Sequence, residues 1–283
     1  MTTAAATARS PIPIRRMDFE LTDDIPEHWG IDGNPFLTAL MSALSASFPA
    51  GERYFIHSVN HYVDQLGDDP ELRARVRGFA GQEAQHTKEH LAFNRFLDAR
   101  GVPALAIEQR VEEILDDLKR HNTPAENLAH TVALEHLTAF LASAALESPE
   151  AFFGKMHPTV AAFWGWHLIE ELEHRSVAFD VYQRCVGDEK LRLRAMAIIT
   201  VFFTAVNLLR TARVMRATGH RWDLAAWAKG LNLLFGRPGV LRKMSPLYRA
   251  FYRTDFHPDQ HQVDQALDQA RAYFLPGHER TTG

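Results

Sequence analysis

The chain has 283 residues, of which 46% are hydrophobic and 23% charged, a composition typical of a globular protein with a substantial core. Its net charge of -4 gives no basic footprint for nucleic acid, which we therefore exclude as a partner. The single cysteine, Cys185, excludes an internal disulfide, an all-cysteine iron–sulfur cluster and a thiolate zinc site. No secretory signal is visible in residues 1–16, so we expect a cytoplasmic location.

Helical patterns follow one another along the chain, and no strand alternation is visible. Residues 1–34 carry scattered prolines and few periodic apolar positions, which predicts an N-terminal arm with a disordered start. Residues 35–218 hold the long helical patterns and are predicted to form a bundle. Residues 219–283 are predicted to form a helical extension packed on that bundle. The expected fold is therefore all-α, a helical bundle with extra flanking and C-terminal helices.

Several helix starts have recognisable signals. Pro35 suits the first turn of a helix. Asp69 is an expected N-cap, and Thr123 with Glu126 forms an expected capping box. The predicted helices cover approximately residues 35–47, 52–65, 70–101, 106–120, 124–147, 158–186, 189–218 and 260–274.

The predicted helix over residues 189–218 contains an uncharged run from Ala195 to Leu209, flanked by Arg194 and Arg210. This run is shorter than the roughly 20 residues that span a bilayer. We therefore predict no membrane span, and a core helix buried against the bundle or against a second copy of the chain. The apolar surface of this helix exceeds what one flank of a bundle needs, which favours a homodimer.

Carboxylates and imidazoles recur on four predicted helices in the order Glu, Glu-x-x-His, Glu, Glu-x-x-His. Residues three and four apart share a helix face, so each Glu-x-x-His pair can approach one metal ion. This combination is the ligand set of ferritin-like dinuclear carboxylate proteins, so we predict a ferritin-like four-helix bundle. Four carboxylates would neutralise two divalent cations, and neutral imidazoles would complete coordination. The predicted ligands are Glu52, Glu83, His86, Glu135, Glu171 and His174, with His167 as a seventh.

The expected cofactor is a pair of iron ions, with manganese as an alternative because both metals share this ligand type. His167 lies four residues before Glu171 on the same stripe, but a core histidine bonded to a carboxylate would show the same pattern. His90 is expected to orient a ligand or to lie in the core. Glu170 is expected to orient an imidazole or to be a surface charge.

Other side chains near the predicted ligands are expected to have no ligand role. Glu89 and Glu173 are predicted to be solvated, and His136 to point away from the metals. Seven residues on the ligand helices would wall a pocket for a small molecule, or are ordinary core and close helix packing. These are Phe55, Phe79, Thr138, Ala139, Ala142, Phe163 and Trp164.

These motifs resemble those of a bacterial family whose members are labelled predicted metal-dependent hydrolases. The resemblance extends from about Phe36 to Pro258 and is carried by Phe48-Pro49-Ala50-Gly51-Glu52-Arg53, Gln82-Glu83…His86…His90 and Trp164-Gly165-Trp166-His167…Glu170-Glu171…Glu173-His174. It implies a metal-dependent enzyme. The ligand pattern also resembles the arylamine N-oxygenases, di-iron enzymes of ferritin-like fold, whose His-x-x-x-Glu-x-x-His matches His167, Glu171 and His174. This second resemblance covers the site and implies a di-iron oxygenase.

Three functions remain open at this point. The leading hypothesis is a non-haem di-iron oxygenase or oxidase that uses dioxygen to oxidise a small organic substrate, with electrons supplied by a donor such as a partner protein. The runner-up is a hydrolase whose two metals act as Lewis acids and water activators, although dinuclear hydrolases usually include Asp ligands on loops or strand ends. The third is a ferroxidase or metal-storage protein, against which the residues after the bundle argue.

Overall fold

The computed structural model describes residues 11–147, 149–237, 239–261 and 263–276. These residues form helices and no β-strand, which confirms the all-α prediction. The predicted disordered start of the arm, residues 1–10, lies outside the described residues. In chain order the α-helices are α1 (Pro35–Ser45), α2 (Phe48–Asn60), α3 (Pro70–Ala99), α4 (Ala104–His121), α5 (Pro124–Leu146), α6 (Pro149–Phe153), α7 (Pro158–His174), α8 (Val177–Cys185), α9 (Glu189–Ala217), α10 (Leu224–Phe235), α11 (Val240–Lys243), α12 (Ser245–Ala250) and α13 (Asp264–Phe274).

Helices α2, α3, α5 and α7 form a closed four-helix arrangement. Helix α2 packs on α3, α3 on α7, α7 on α5, and α5 on α2. Helix α4 carries the chain from α3 to α5 and buries only Ala104, Ile107 and Val111, so it lies on the outside of this arrangement. The result is two helix pairs joined by a crossover, which brings the four predicted ligand segments onto neighbouring helices.

The predicted caps of α3 and α5 are confirmed. The side chain of Asp69 accepts a hydrogen bond from the Leu72 amide at 2.9 Å. Thr123 Oγ1 accepts from the Glu126 amide at 3.2 Å, while the Glu126 carboxylate accepts from the Thr123 amide at 2.8 Å. These bonds satisfy amides that have no partner within the helix. They fix where each helix begins, and hence where its predicted ligands lie.

Two predicted helix boundaries are wrong. Residues 48–51 separate the predicted helices over 35–47 and 52–65, but in the structure they form the first turn of α2. Pro49 fits there because the N–H groups of a first turn have no partner within the helix, so the N–H that proline lacks costs no hydrogen bond. The single helix predicted over residues 158–186 is divided into α7 and α8 at Ser176. There the buried Arg75 donates a hydrogen bond to the Ser176 hydroxyl at 2.7 Å.

Helix α9 packs on α1 and α5 with one face and exposes the other. The bundle therefore buries only the inner face of Ala195–Leu209, and on the outer face Val201 and Leu209 are each 71% exposed. Burial of this outer face against a second copy of the chain stays a prediction. Asn207 and Thr211 lie on the buried inner face. Among the described residues, α9 alone is long and apolar enough to cross a membrane by length and composition, which is a weak indication.

The described part of the arm lies on the bundle. Ile25, Trp29 and Ile31 are buried in the same core as α1. Arg15 is buried as well, although it is an arginine in an irregular segment. Burial of a guanidinium requires charged partners, and these lie beside the predicted metal ligands.

Candidate metal centre

The structure brings all seven predicted ligand residues together inside the four-helix arrangement. None of them is more than 3% exposed. Their nitrogen and carboxylate oxygen atoms fall into overlapping groups whose members lie within 4.8 Å of one another. The groups are Glu52 with Glu83 and His86, Glu52 with His90 and His167, His86 with His167 and Glu171, and Glu83 with Glu171 and His174. Glu135 belongs to none of these groups, but its Oε2 lies 3.5 Å from His174 Nε2. Since Glu83 and Glu171 each belong to two of them, the groups define adjoining positions.

Two imidazoles approach the same pair of carboxylates. His174 Nε2 lies 3.3 Å from Glu83 Oε1 and 3.7 Å from Glu171 Oε1. It also lies 3.5 Å from Glu135 Oε2. His86 Nδ1 lies 3.6 Å from Glu171 Oε1 and 3.8 Å from Glu83 Oε2. Glu83 and Glu171 are thus each near both imidazoles.

Many donor atoms of this cluster are buried without a hydrogen-bond partner among the described residues. They are Glu52 Oε1, both oxygens of Glu83 and of Glu135, Glu171 Oε2, His86 Nδ1, His167 Nε2 and His174 Nε2. A buried polar atom without a partner costs free energy, so this concentration indicates that a ligand belongs here. Oxygen and nitrogen donors with a combined carboxylate charge of -4 fit two divalent ions such as iron or manganese.

Hydrogen bonds on the far side of two imidazoles fix their tautomers. His86 Nε2 donates to Glu170 Oε2 at 3.0 Å, so its Nδ1 faces the cluster. Burial acts to lower the pKa of His86, but the hydrogen bonds and charges of Glu170 and Glu83 outweigh it and raise this pKa well above the ordinary value, so a metal ion at Nδ1 would displace a proton. His174 Nδ1 donates to Gln82 Oε1 at 2.9 Å, which leaves its Nε2 bare. The amide of Gln82 is oriented in turn, because its nitrogen donates to the Pro13 carbonyl at 2.9 Å. Both imidazoles are therefore oriented with one ring nitrogen toward the cluster.

His167 is oriented by a buried chain of hydrogen bonds that starts on α1. Ser45 Oγ donates to Asn94 Oδ1 at 2.8 Å and accordingly accepts from His90 Nδ1 at 2.8 Å. His90 Nε2 then accepts from His167 Nδ1 at 3.2 Å. The bare Nε2 of His167 lies 3.5 Å from Glu171 Oε1. Burial, with the neighbouring imidazoles, lowers the pKa of both His90 and His167 well below the usual range, so both rings are neutral.

The carboxyl groups of the cluster have opposed pKa shifts. Burial, followed by the charge of Glu83, raises the pKa of Glu52 and Glu135 well above the ordinary value. Burial also acts to raise the pKa of Glu171, but the nearby imidazoles, His174 first and then His167 and His86, outweigh it and the pKa is lowered. Without metal, Glu52 and Glu135 hold protons near neutral pH, and a metal ion must displace them.

Arg15 of the arm contacts the cluster indirectly, through the carboxylates of Glu170 and Glu173. Its Nη1 donates to Glu170 Oε1 at 2.9 Å and to Glu173 Oε2 at 2.7 Å. The prediction that Glu173 is solvated is wrong, because its buried carboxylate also accepts from Arg271 of α13 at 2.7 Å. Arg15, Glu170 and His86 therefore form one connected series that ends at a candidate metal-binding nitrogen. Helical spacing carries no signal for this series, because its first member lies outside every helix.

Two other expectations have different outcomes. Glu89 is not solvated as predicted: it is 5% exposed and pairs with Lys88 at 2.7 Å. His136 points away from the cluster, as predicted, and its ring lies 4.8 Å from that of Phe251. Burial lowers the pKa of His136 to about 3. It lines a small cavity together with Ala139 and residues of the C-terminal segment.

Aromatic rings cover the imidazoles, including two that sequence reasoning missed. Phe48 stacks on His167 with 4.8 Å between ring centroids, and Trp166 contacts His86 edge-on at 4.8 Å. Phe48 lies in the segment wrongly predicted as an interruption of the helix. Trp166 neighbours His167 in sequence, which was the only signal available for it.

The predicted pocket residues are placed as follows. Three of them contact the imidazoles: the ring of Phe79 lies 5.0 Å from that of His174, the ring of Phe163 lies 4.7 Å from that of His90, and Trp164 packs against His90 and His167. Phe55 and Ala142 are buried in apolar cores. The Thr138 hydroxyl donates a hydrogen bond to the Glu135 carbonyl, and Ala139 lines the small cavity near His136. A larger cavity of about 200 Å³ lies between the arm, α1 and the end of α3, away from the ligands. That these residues wall a substrate pocket stays a prediction.

Replacing Arg15 by Met is expected to weaken metal binding by about 10- to 100-fold, because Glu170 loses the group that holds it against His86. The matched control is Arg16→Met, which removes a neighbouring exposed arginine. Titration of both variants with Mn²⁺ would measure the effect, with helicity checked by circular dichroism. Equal affinities in the two variants would mean that the arm does not support the site.

Replacing His167 by Phe tests the two interpretations of that residue. If its bare Nε2 is a ligand, we expect one of the metal ions to bind at least 10-fold more weakly, while the helical content is kept. If it is only a core residue, stability should fall by about 1–3 kcal/mol with metal binding unaltered. His136→Phe, a buried histidine outside the cluster, is the control.

The fold and the site together define an all-α helical-bundle protein with a buried Glu/His cluster that could hold metal. The chain belongs to the family described as predicted metal-dependent hydrolase, whose family model matches residues 13–262. No curated protein and no solved structure matches the chain. The matched range includes all seven candidate ligands as well as Arg15, so the family description and the cluster agree on metal dependence.

Proposed function

We propose that this protein is a dinuclear non-haem iron enzyme that uses dioxygen to oxidise a small organic substrate. The observation that carries the proposal is the donor set: four buried carboxylates and three buried imidazole nitrogens without a hydrogen-bond partner among the described residues, all on helices. No aspartate belongs to this cluster of described residues. Glutamate and histidine donors of this kind suit iron, which when bound supplies the electrons that reduce dioxygen.

The residues of the chain have separate roles in this proposal. Glu83 and Glu171 are each near both His86 and His174, so they would help to hold both ions. Glu52 and Glu135 each add a carboxylate on one side. Thr87 donates to Glu52 Oε2 at 2.8 Å, which turns the other oxygen of Glu52 toward the cluster.

Exclusion of water is the second contribution of the fold. Every candidate ligand is almost fully buried, and Phe48 and Trp166 lie directly against the imidazoles. A closed site of this kind suits a reactant as small as dioxygen and keeps reactive species from solvent. A large ester or phosphate substrate would need the bundle to open before it could reach these ligands.

A hydrolase is the second candidate, because the family description names hydrolysis. The same residues would hold two ions that polarise a substrate and activate water. A ferroxidase that oxidises iron without an organic substrate is the third. These functions differ in their requirement for iron, reductant and substrate.

The test is to load the metal-free protein with Fe²⁺ anaerobically and then expose it to oxygen. We expect oxygen consumption, a new absorption band, and reductant-dependent oxidation of members of an arylamine panel. Zn²⁺-loaded protein is assayed in parallel with nitrophenyl esters and phosphates, and Glu83→Gln is the inactive control for both. Zinc-supported hydrolysis together with a ferrous form that ignores oxygen would establish the hydrolase. Oxygen consumption without any organic product would favour the ferroxidase.

A further inference from the structure

The exposed apolar side chains are concentrated in one stretch of the chain. Thirteen large apolar residues of the described chain are exposed, and ten of them lie between Ile198 and Tyr252. This stretch contains α9 and α10, neither of which carries a candidate metal ligand. Extended exposed apolar surface is unusual on a soluble protein and marks an interaction site.

On α9 the exposed apolar residues form a continuous stripe. Its members Ile198, Val201, Phe202, Leu208 and Leu209 recur at helical spacing. Small residues at Ala205 and Ala212 fill the remaining positions of the same face. The stripe is opposite the face that packs on α1 and α5.

Helix α10 has a similar outer stripe. Leu224, Leu231 and Phe235 repeat along one face, and Trp222 in the preceding turn is 76% exposed. On the inner face, Gly230 lies so close to Phe36 of α1 that a Cβ atom would be 2.2 Å from its ring. The close inner packing leaves the outer stripe as the free surface of the helix.

The same stretch carries a strong positive charge. Residues 189–253 contain thirteen Lys and Arg against two acidic residues, a net charge of +11 in a chain of net charge -4, so the remaining residues carry -15. Exposed Arg194 precedes the α9 stripe, and exposed Arg213 and Arg216 follow it. Among the described residues, none of these three forms an ion pair with a carboxylate.

We propose that the outer faces of α9 and α10 bind the surface of an anionic lipid bilayer. Apolar stripes flanked by arginines are the pattern of a helix that lies in the interface plane, with its apolar side chains inserted and its basic side chains at the headgroups. The inner face of α9, which carries the buried Asn207 and Thr211, stays on the bundle. The helix therefore lies on the membrane and does not cross it.

Charge decides between a bilayer and a second copy of the chain. A symmetric dimer through this surface would bring two strongly positive faces together, and like charges in an interface disfavour association. An anionic bilayer complements the arginines and accepts the apolar side chains. We therefore propose that a bilayer, and not a second copy of the chain, covers the outer faces of α9 and α10. This differs from the homodimer predicted from the apolar surface of α9.

The test is sedimentation of the full-length protein with lipid vesicles. We expect binding to phosphatidylcholine vesicles that contain about 30% phosphatidylglycerol to be at least 10-fold stronger than to phosphatidylcholine alone. The double variant Val201→Ser/Leu209→Ser should lose at least 10-fold in binding, since two exposed apolar anchors are removed. The matched control Leu105→Ser/Tyr273→Ser changes exposed apolar residues elsewhere and should bind as the wild type does.

Charge reversal is tested separately. Arg213→Glu/Arg216→Glu should also bind at least 10-fold more weakly, whereas Arg110→Glu/Arg120→Glu on α4 should not. Circular dichroism and metal content should be unchanged in all variants. Absence of vesicle binding, or equal binding to both lipid compositions, would overturn the proposal. So would a dimer by light scattering that Val201→Ser/Leu209→Ser converts to a monomer without any effect on vesicles.

Discussion

Replacing Glu83 by Gln is expected to remove nearly all bound metal from the protein. Both carboxylate oxygens of Glu83 are buried without a hydrogen-bond partner among the described residues. One oxygen is near His86 and the other is near His174. Gln keeps the size of the side chain but removes one of the four negative charges that would neutralise two divalent ions. Because Glu83 belongs to both metal positions, its loss should affect both ions together.

Metal analysis after iron-replete expression measures this effect, with about two ions per chain expected in the wild type. Glu171→Gln should behave in the same way, because Glu171 lies in the corresponding position on α7. The matched control is Glu113→Gln, which changes an exposed glutamate of α4 that pairs only with Arg110. Near-normal metal content in both cluster variants, with normal helicity, would exclude a dinuclear site built on these residues.

Local signals in the sequence were sufficient to predict the helices that carry the ligands. Asp69 and Thr123 cap α3 and α5 through bonds to amides three residues away, so the information lies within one helical turn. The Glu-x-x-His pairs are equally local, since three residues on a helix define one face. The structure therefore brings Glu83 and His86 to one cluster with Glu171 and His174.

Glu170 and His90 were candidates for orienting a ligand, and they contact His86 and His167. The arginines that hold Glu170 and bury Glu173 could not be predicted in the same way. Helical spacing places Glu173 on the side of α7 away from the cluster, and this is correct for the isolated helix. The arm and α13 cover that side, where Arg15 and Arg271 convert a predicted solvated charge into a buried one. Contacts of this kind join segments about a hundred residues or more apart, and periodicity within one helix does not encode them.

Helix α9 shows the opposite limitation. Its apolar composition predicted burial, but composition does not specify how many faces of a helix the protein covers. The bundle needs one face for α1 and α5, and the outer face is left exposed. The arginines at both ends of the apolar run are visible in the sequence. Their role could not be inferred there, because it depends on which apolar side chains between them are exposed.

Removal of metal is expected to lower thermal stability, by an amount that grows as the pH rises from about 6 to about 8. Burial, followed by the charge of Glu83, raises the pKa of Glu52 and Glu135 well above the ordinary value for a glutamate. In the metal-free protein these carboxyls keep protons that the unfolded chain has released, so their contribution to stability falls with rising pH until the raised pKa is passed. The pKa of Glu171 is lowered, so its contribution to stability falls as the pH falls. This change occurs only below the pKa of Glu171 in the unfolded chain, and therefore outside the range from about pH 6 to about pH 8.

The metal-loaded protein should respond in the opposite direction. Bound metal replaces the protons on Glu52 and Glu135, so proton competition weakens and metal-linked stabilisation increases as the pH rises. Calorimetric melting of metal-free and Mn²⁺-loaded protein at several pH values measures the gap between the two forms. In Glu52→Gln/Glu135→Gln the metal-free protein should lose the part of its pH dependence that these carboxyls cause, whereas Glu112→Gln/Glu113→Gln on α4 should not change it. A gap that stays constant or narrows toward high pH would show that the buried carboxyls do not hold the protons on which this prediction depends.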